Sequence, residues 1–185
     1  WHRHRRVWRR GLTLAAVLLV PMLTLTTALG HPGLSLTSIY SAAHELRVGV
    51  PMAWGDELQV DMGAPPLSSE AGAESGLLAA TDAEDWYSNE GGSYGVFATV
   101  VPGDHELTEL GDTDRGGNDA PVERVLHTDG WRGQVWEWPE CAAHGSFSSA
   151  AVHDSGTSTT VYLEVRQPDY RPDLVDDIID QIEPR

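Results

Sequence analysis

Asp112, Asp114, Asn118 and Glu123 follow the order of an EF-hand-like calcium loop, with oxygens at the first and third positions, Gly117 at the sixth and a carboxylate at the twelfth. Calcium takes about six to eight oxygen ligands, so the chemistry is coherent. Against it, Gly116 holds the fifth position, Asp119 falls where such a loop places an apolar residue, and Pro121 breaks the start of a second helix. A solvated acidic loop is the favoured reading, and a calcium-stabilised binding module is its alternative. Asp154-Ser155-Gly156-Thr157-Ser158 resembles half of an aspartic protease site, where two such loops share a proton. The sequence holds one copy, placed where a hairpin turn belongs. Cys141 and His144 have a spacing used in metal sites, and His127, Asp129 and His153 could join them to make a zinc site or a Cys-His hydrolase. The competing reading is a buried or loop thiol with exposed histidines. Trp131, Trp136 and Trp138 could line a ligand groove, although aromatics on a central strand usually form core.

These residues depend on strands for their positions. Leu46, Val48 and Val50 alternate with polar or small residues up to Pro51, and Leu58, Val60 and Met62 do the same, which predicts two strands paired as a hairpin. Residues 64–76 form a loop, and Leu77–Ala80 is a short apolar run. Thr81 and Asp82 then cap a helical turn holding Trp86 and Tyr87. Tyr94–Val101 is apolar on nearly both faces and belongs inside a sheet. Asp104 begins a short helical pattern through Leu107 and Leu110, and Asp112–Pro121 is a polar loop. Trp131–Trp138 alternates with aromatics on both faces, so cover is expected on both. Phe147–Val152 and Thr159–Val165 are two further strands, turned at Asp154–Gly156. Leu174, Val175, Ile178, Ile179 and Ile182 recur at helical spacing and predict a final helix lying on the sheet. The fold class is α+β: a single, mostly antiparallel sheet with helices packed on it.

Before this domain stands an apolar run, Gly11–Leu29, preceded by Arg3, Arg5, Arg6, Arg9 and Arg10 and followed by no charge until Glu45. As a helix it spans roughly 28 Å, close to one bilayer core, and the arginines keep its start in the cytoplasm. The expected organisation is a basic flank over 1–10, a transmembrane anchor or signal-peptide core over 11–29, a linker over 30–43 and an exported domain over 44–185. The protein is then either a single-pass membrane protein with its C-terminal domain outside the cytoplasm or a secreted one cleaved near Gly30. Of twelve basic residues five precede the apolar run, leaving seven against 28 acids, so residues 31–185 carry a formal charge of −21. Such a field repels phosphate backbones and argues against nucleic-acid binding. Cys141 is the only cysteine, which rules out an intramolecular disulfide.

The order of elements resembles a PsbP-like α/β/α sandwich, specifically the exported domain of actinobacterial envelope proteins, found alone behind a signal or anchor or attached to trypsin-like proteases and kinases. The residues carrying the resemblance are Val48-Gly49-Val50-Pro51 with Trp54, Leu77–Ala80 before Asp82, and Tyr94-Gly95-Val96. It resumes at Gly130-Trp131-Arg132-Gly133, runs through Trp136-Glu137-Trp138 and Glu140-Cys141, and ends in the isoleucine-rich helix. The family pattern usually has a second cysteine shortly before the Gly130 strand, paired with the one matching Cys141; Asp119–Asp129 has none. The resemblance implies a non-catalytic accessory or ligand-sensing module with no active site and no cofactor. The function expected is that of an extracytoplasmic domain that binds a protein or small molecule.

Overall fold

The computed structural model describes residues 35–184 apart from 41–45, 56, 63–75, 89–91, 111–119, 129, 142–144, 155 and 157. The chain divides into two units, Trp1–Pro32 and Gly33–Arg185, and the described residues all belong to the second. The Gly11–Leu29 run and the 64–75 loop thus lie outside them. Among the described residues no helix is long and apolar enough to cross a membrane.

In chain order the elements are β1 (Leu36–Tyr40), β2 (Leu46–Pro51), a 3-10 turn (Met52–Trp54), β3 (Glu57–Met62), β4 (Gly76–Ala80), α1 (Ala83–Ser88) and β5 (Gly95–Pro102). Then come β6 (Val122–His127), β7 (Trp131–Cys141), β8 (Gly145–Asp154), β9 (Thr159–Gln167), α2 (Pro172–Ile179) and β10 (Glu183–Pro184). Seven strands make one sheet in the order β3-β4-β5-β9-β8-β7-β6, and β1-β2-β10 make a smaller one. Every pairing is antiparallel.

Strand alternation sorts the apolar residues of the large sheet onto two faces. On one, Val96, Ala98, Val135, Ala150, Val152, Leu163 and Val165 pack with Leu174, Val175, Ile178 and Ile179 of α2 and with Ile39, Val48 and Val50 of the small sheet. On the other, Phe97, Val101, Trp136, Trp138, Phe147, Ala151 and Tyr162 are covered by Ala83 and Trp86 of α1 and by Leu107 and Leu110. Each fully buried leucine or isoleucine contributes about 1.5–3 kcal/mol, so both faces supply a core.

The antiparallel sheet, the cap at Asp82 and the final helix agree with the pattern read from the sequence: the Asp85 amide donates to Asp82 Oδ1 at 2.9 Å, and α2 buries all four of its aliphatic residues. Five features differ. The β strands form two sheets, because Pro51 and the 3-10 turn, anchored by buried Trp54, carry the chain from one sheet to the other. Consequently β2 and β3 are not a hairpin: β2 pairs β1 and β10, whereas β3 pairs β4. Within the stretch assigned to the linker, Leu36–Tyr40 is a strand, placed by its register with β2 and by Ile39 in the core. The helical pattern from Asp104 shrinks to a turn over 107–110: Gly103 takes φ 103°, and among the described residues only the Glu109 and Leu110 amides return to Glu106 O. Finally β6 forms where no element was expected. Its valines, Glu123 and His127 are exposed while Arg124 is half-buried, and charged and apolar residues mix along it, which leaves no clear alternation to read in the sequence.

Candidate functional site

Strand β7 loses regular register with β8 between Trp138 and Cys141, where Pro139 cannot donate to a ladder. There Trp138 packs edge-on against Trp136, with centroids 6.5 Å apart at 81°, and against Phe147 at 5.3 Å. Its indole is 3% exposed. Together with Ala120, Pro139 and Glu140 it outlines an open depression of about 230 Å³. Glu140 is exposed, so the depression has an apolar floor and an anionic rim. Cys141 is half-buried and packs against the same aromatic cluster. Gly145, which opens β8, has φ 75°, and a Cβ there would strike the Gln167 carbonyl oxygen.

What fixes Trp138 lies on the other face of the strand. Glu137, 1% exposed, accepts from Arg124 Nε at 3.2 Å and from the Tyr170 hydroxyl at 2.8 Å, and Arg124 also donates to Asp176 at 2.6 Å. One carboxylate thereby ties β6, β7, the segment before α2 and α2 itself. Burial pulls the Arg124 guanidinium down, but the hydrogen bond to Asp176 and the fields of Glu137 and Asp176 outweigh it and hold it above its ordinary value. Tyr170 is pushed up by burial, then by its bond to Glu137.

Under α1 a second polar group is buried. Tyr162 donates to Glu164 Oε1 at 2.8 Å, and the Arg166 guanidinium lies 4.1 Å over the Trp86 ring while donating to Trp86 O at 3.0 Å. Burial, then the charge of Glu164, pushes Tyr87 up. A third group anchors the 103–110 turn. Thr160 Oγ1 donates to Gly103 O at 2.8 Å and accepts from the His105 amide, so the Nδ1 of His153, 3.0 Å away, is the donor in that contact. Asp104 Oδ1 lies 2.9 Å from the same nitrogen. All three groups join elements to one another.

Asp112, Asp114 and Asn118 of the calcium pattern lie outside the described residues. Glu123 is exposed on β6, opposite Trp136. Of the groove candidates, Trp136 and Trp138 share a face, and Trp131 is buried on the opposite one against the α2 side. The proposed convergence of Cys141 with His153 and His127 does not occur. Cys141 pairs Gly145 at one end of the β7–β8 hairpin, while His127 and His153 both flank Arg132 at the other, roughly 25–30 Å away along the strand. His144 and Asp129 lie outside the described residues. Among the described residues no group of three His, Cys, Asp or Glu could hold a metal. Asp154 Oδ1 accepts from the Gly156 amide at 2.9 Å, a turn bond. Residues 91–95 also match the G-x-S-x-G pattern of a hydrolase nucleophile, but Ser93 is 2% exposed, donates to Asp82 O and precedes a strand rather than a helix. The Glu137 network was not anticipated; its signal is a carboxylate between two tryptophans of a strand covered on both faces, which requires a buried partner.

No family model matches the chain, and no curated protein matches it. Among solved structures, the chain is similar to the solution structure of cyanobacterial PsbP (CyanoP) from Synechocystis sp. PCC 6803, with a TM-score of 0.44 and 14% identity over 84% of this chain and 96% of that chain.

Proposed function

We propose that the domain from β1 onward, residues 36–185, is a non-catalytic partner-binding domain, PsbP-like in plan, that works outside the cytoplasm behind Gly11–Leu29, as an anchored or a cleaved protein of an actinobacterial envelope. The observation that carries the binding role is the Trp138 depression. At about 230 Å³ it falls below the roughly 300–1,000 Å³ of small-molecule sites, so it suits a single protruding side chain of a protein. An indole and proline floor with Glu140 on the rim favours an apolar or basic side chain, and the −21 formal charge of residues 31–185 steers basic partners. The non-catalytic role is supported by the use made of the buried charges: Glu137 and Arg166 are bonded across elements, where they fix architecture, and Glu164 accepts from Tyr162 of its own strand.

Affinity capture from envelope extracts tests this with the whole chain and its Glu140→Lys variant. Glu140 is exposed, so the variant folds as the parent does, and the proposal expects it to lose at least about 80% of the captured partner. Equal capture by both would remove the depression as the docking point.

A further inference from the structure

The two edges of the large sheet are not alike. At β3 the register with β4 shifts between Val60 and Met62, and Glu57 turns its carboxylate to cap the Ala83 amide at 2.9 Å. Such irregularities are how an edge is kept from pairing with another chain. At β6 the six pairs from Val122↔Glu137 to His127↔Arg132 run without interruption, and among the described residues β7 is its one neighbour. It contains no proline, and it exposes Val122 at 52% and Val125 at 74%. A regular edge that exposes two valines beside its charges is a template for strand addition.

We infer that β6 pairs antiparallel with β6 of a second copy of this chain, about a twofold axis at Val125. A twofold axis perpendicular to the sheet keeps each face on its own side, so only residues of the same face can stand opposite one another. Centring the pair on Arg124 sets Arg124 against its own copy, and centring it on Glu123 sets two carboxylates together. Both arrangements place like charges opposite, which is destabilising, and centring on Leu126 overlaps the two strands over 125–127 alone, fewer pairs than the 123–127 overlap about Val125. Centring on Val125 sets valine against valine and places Glu123 opposite His127 of the second copy, twice by symmetry. Val125, Glu123 and His127 alternate onto one face, and all three are exposed. A strand pair this short buries less than the roughly 1,200–2,000 Å² of a standard interface, so the dimer is weak and concentration-dependent.

Cysteine cross-linking of the whole chain in detergent, in a Cys141→Ser background, reads this register. Val125→Cys places two thiols across the axis within disulfide reach, whereas Val122→Cys leaves its thiols roughly 20 Å apart. Mild oxidation is expected to give a dimer for Val125→Cys at least about tenfold in excess of that for Val122→Cys. In sedimentation, Glu123→Lys is expected to weaken self-association about tenfold, and adding His127→Glu to restore it by reversing the pair. Equal cross-linking at both positions, a monomer at all concentrations, or a charge swap without rescue would each overturn the inference. The last two would leave β6 to another protein or to none.

Discussion

Trp138 is buried on one face of β7 while its neighbour Glu137 is held on the other, so the depression depends on a carboxylate that never lines it. Glu137→Gln removes the charge that Arg124 and Tyr170 are arranged around, and this is expected to cost about 1–3 kcal/mol in chemical denaturation. A loss under 0.5 kcal/mol would show that Asp176 alone anchors Arg124. Tyr170 adds a pH signature. Its folded value is raised, by burial and then by Glu137, so its contribution is fully present below the unfolded tyrosine value near pH ~10 and is lost as pH rises through the higher folded one. Stability measured from pH 8 to 11 is therefore expected to fall less steeply in Tyr170→Phe than in the parent. The same slope in both would remove Tyr170 from the alkaline limb.

Elements differ in how much of their placement they carry themselves. Strands β7, β8 and β9 were legible because hydrophobic alternation and the Asp154 turn are local, and α2 because four apolar residues fall on one stripe. Strands β1 and β6 were not, since register with β2 and β7 places them and their own residues are half or mostly exposed. The candidate site divides the same way. The aromatics of β7 were visible in sequence, but the bonds that orient them join Glu137 to partners 13 and 33 residues away, and Arg124 to Asp176 over 52. Because β1 belongs to the small sheet and Ile39, 9% exposed, to the core, Ile39→Ala is expected to cost about 2–4 kcal/mol; no measurable loss would make it a spacer residue. Ile178→Asp, on the buried stripe of α2, is expected to abolish the cooperative unfolding transition, because a carboxylate there has no partner in an aliphatic core.

At the scale of the whole molecule, an acidic domain presents a small apolar depression, and its proposed place is outside the cytoplasm. The address is tested by a tag placed after Arg185: protease added to intact spheroplasts is expected to remove it, and protection until lysis would place the domain inside the cell. The central claim, that the Trp138 depression receives a partner protein, is tested most directly by installing a photo-cross-linking residue at position 140 in living cells, with position 58, exposed on the opposite sheet edge, as the comparison. A discrete protein adduct is expected from position 140, recovered with the envelope and lost when an unlabelled whole chain competes, and no such adduct from position 58. Absence of an adduct at 140, or the same adducts from both positions, would contradict it.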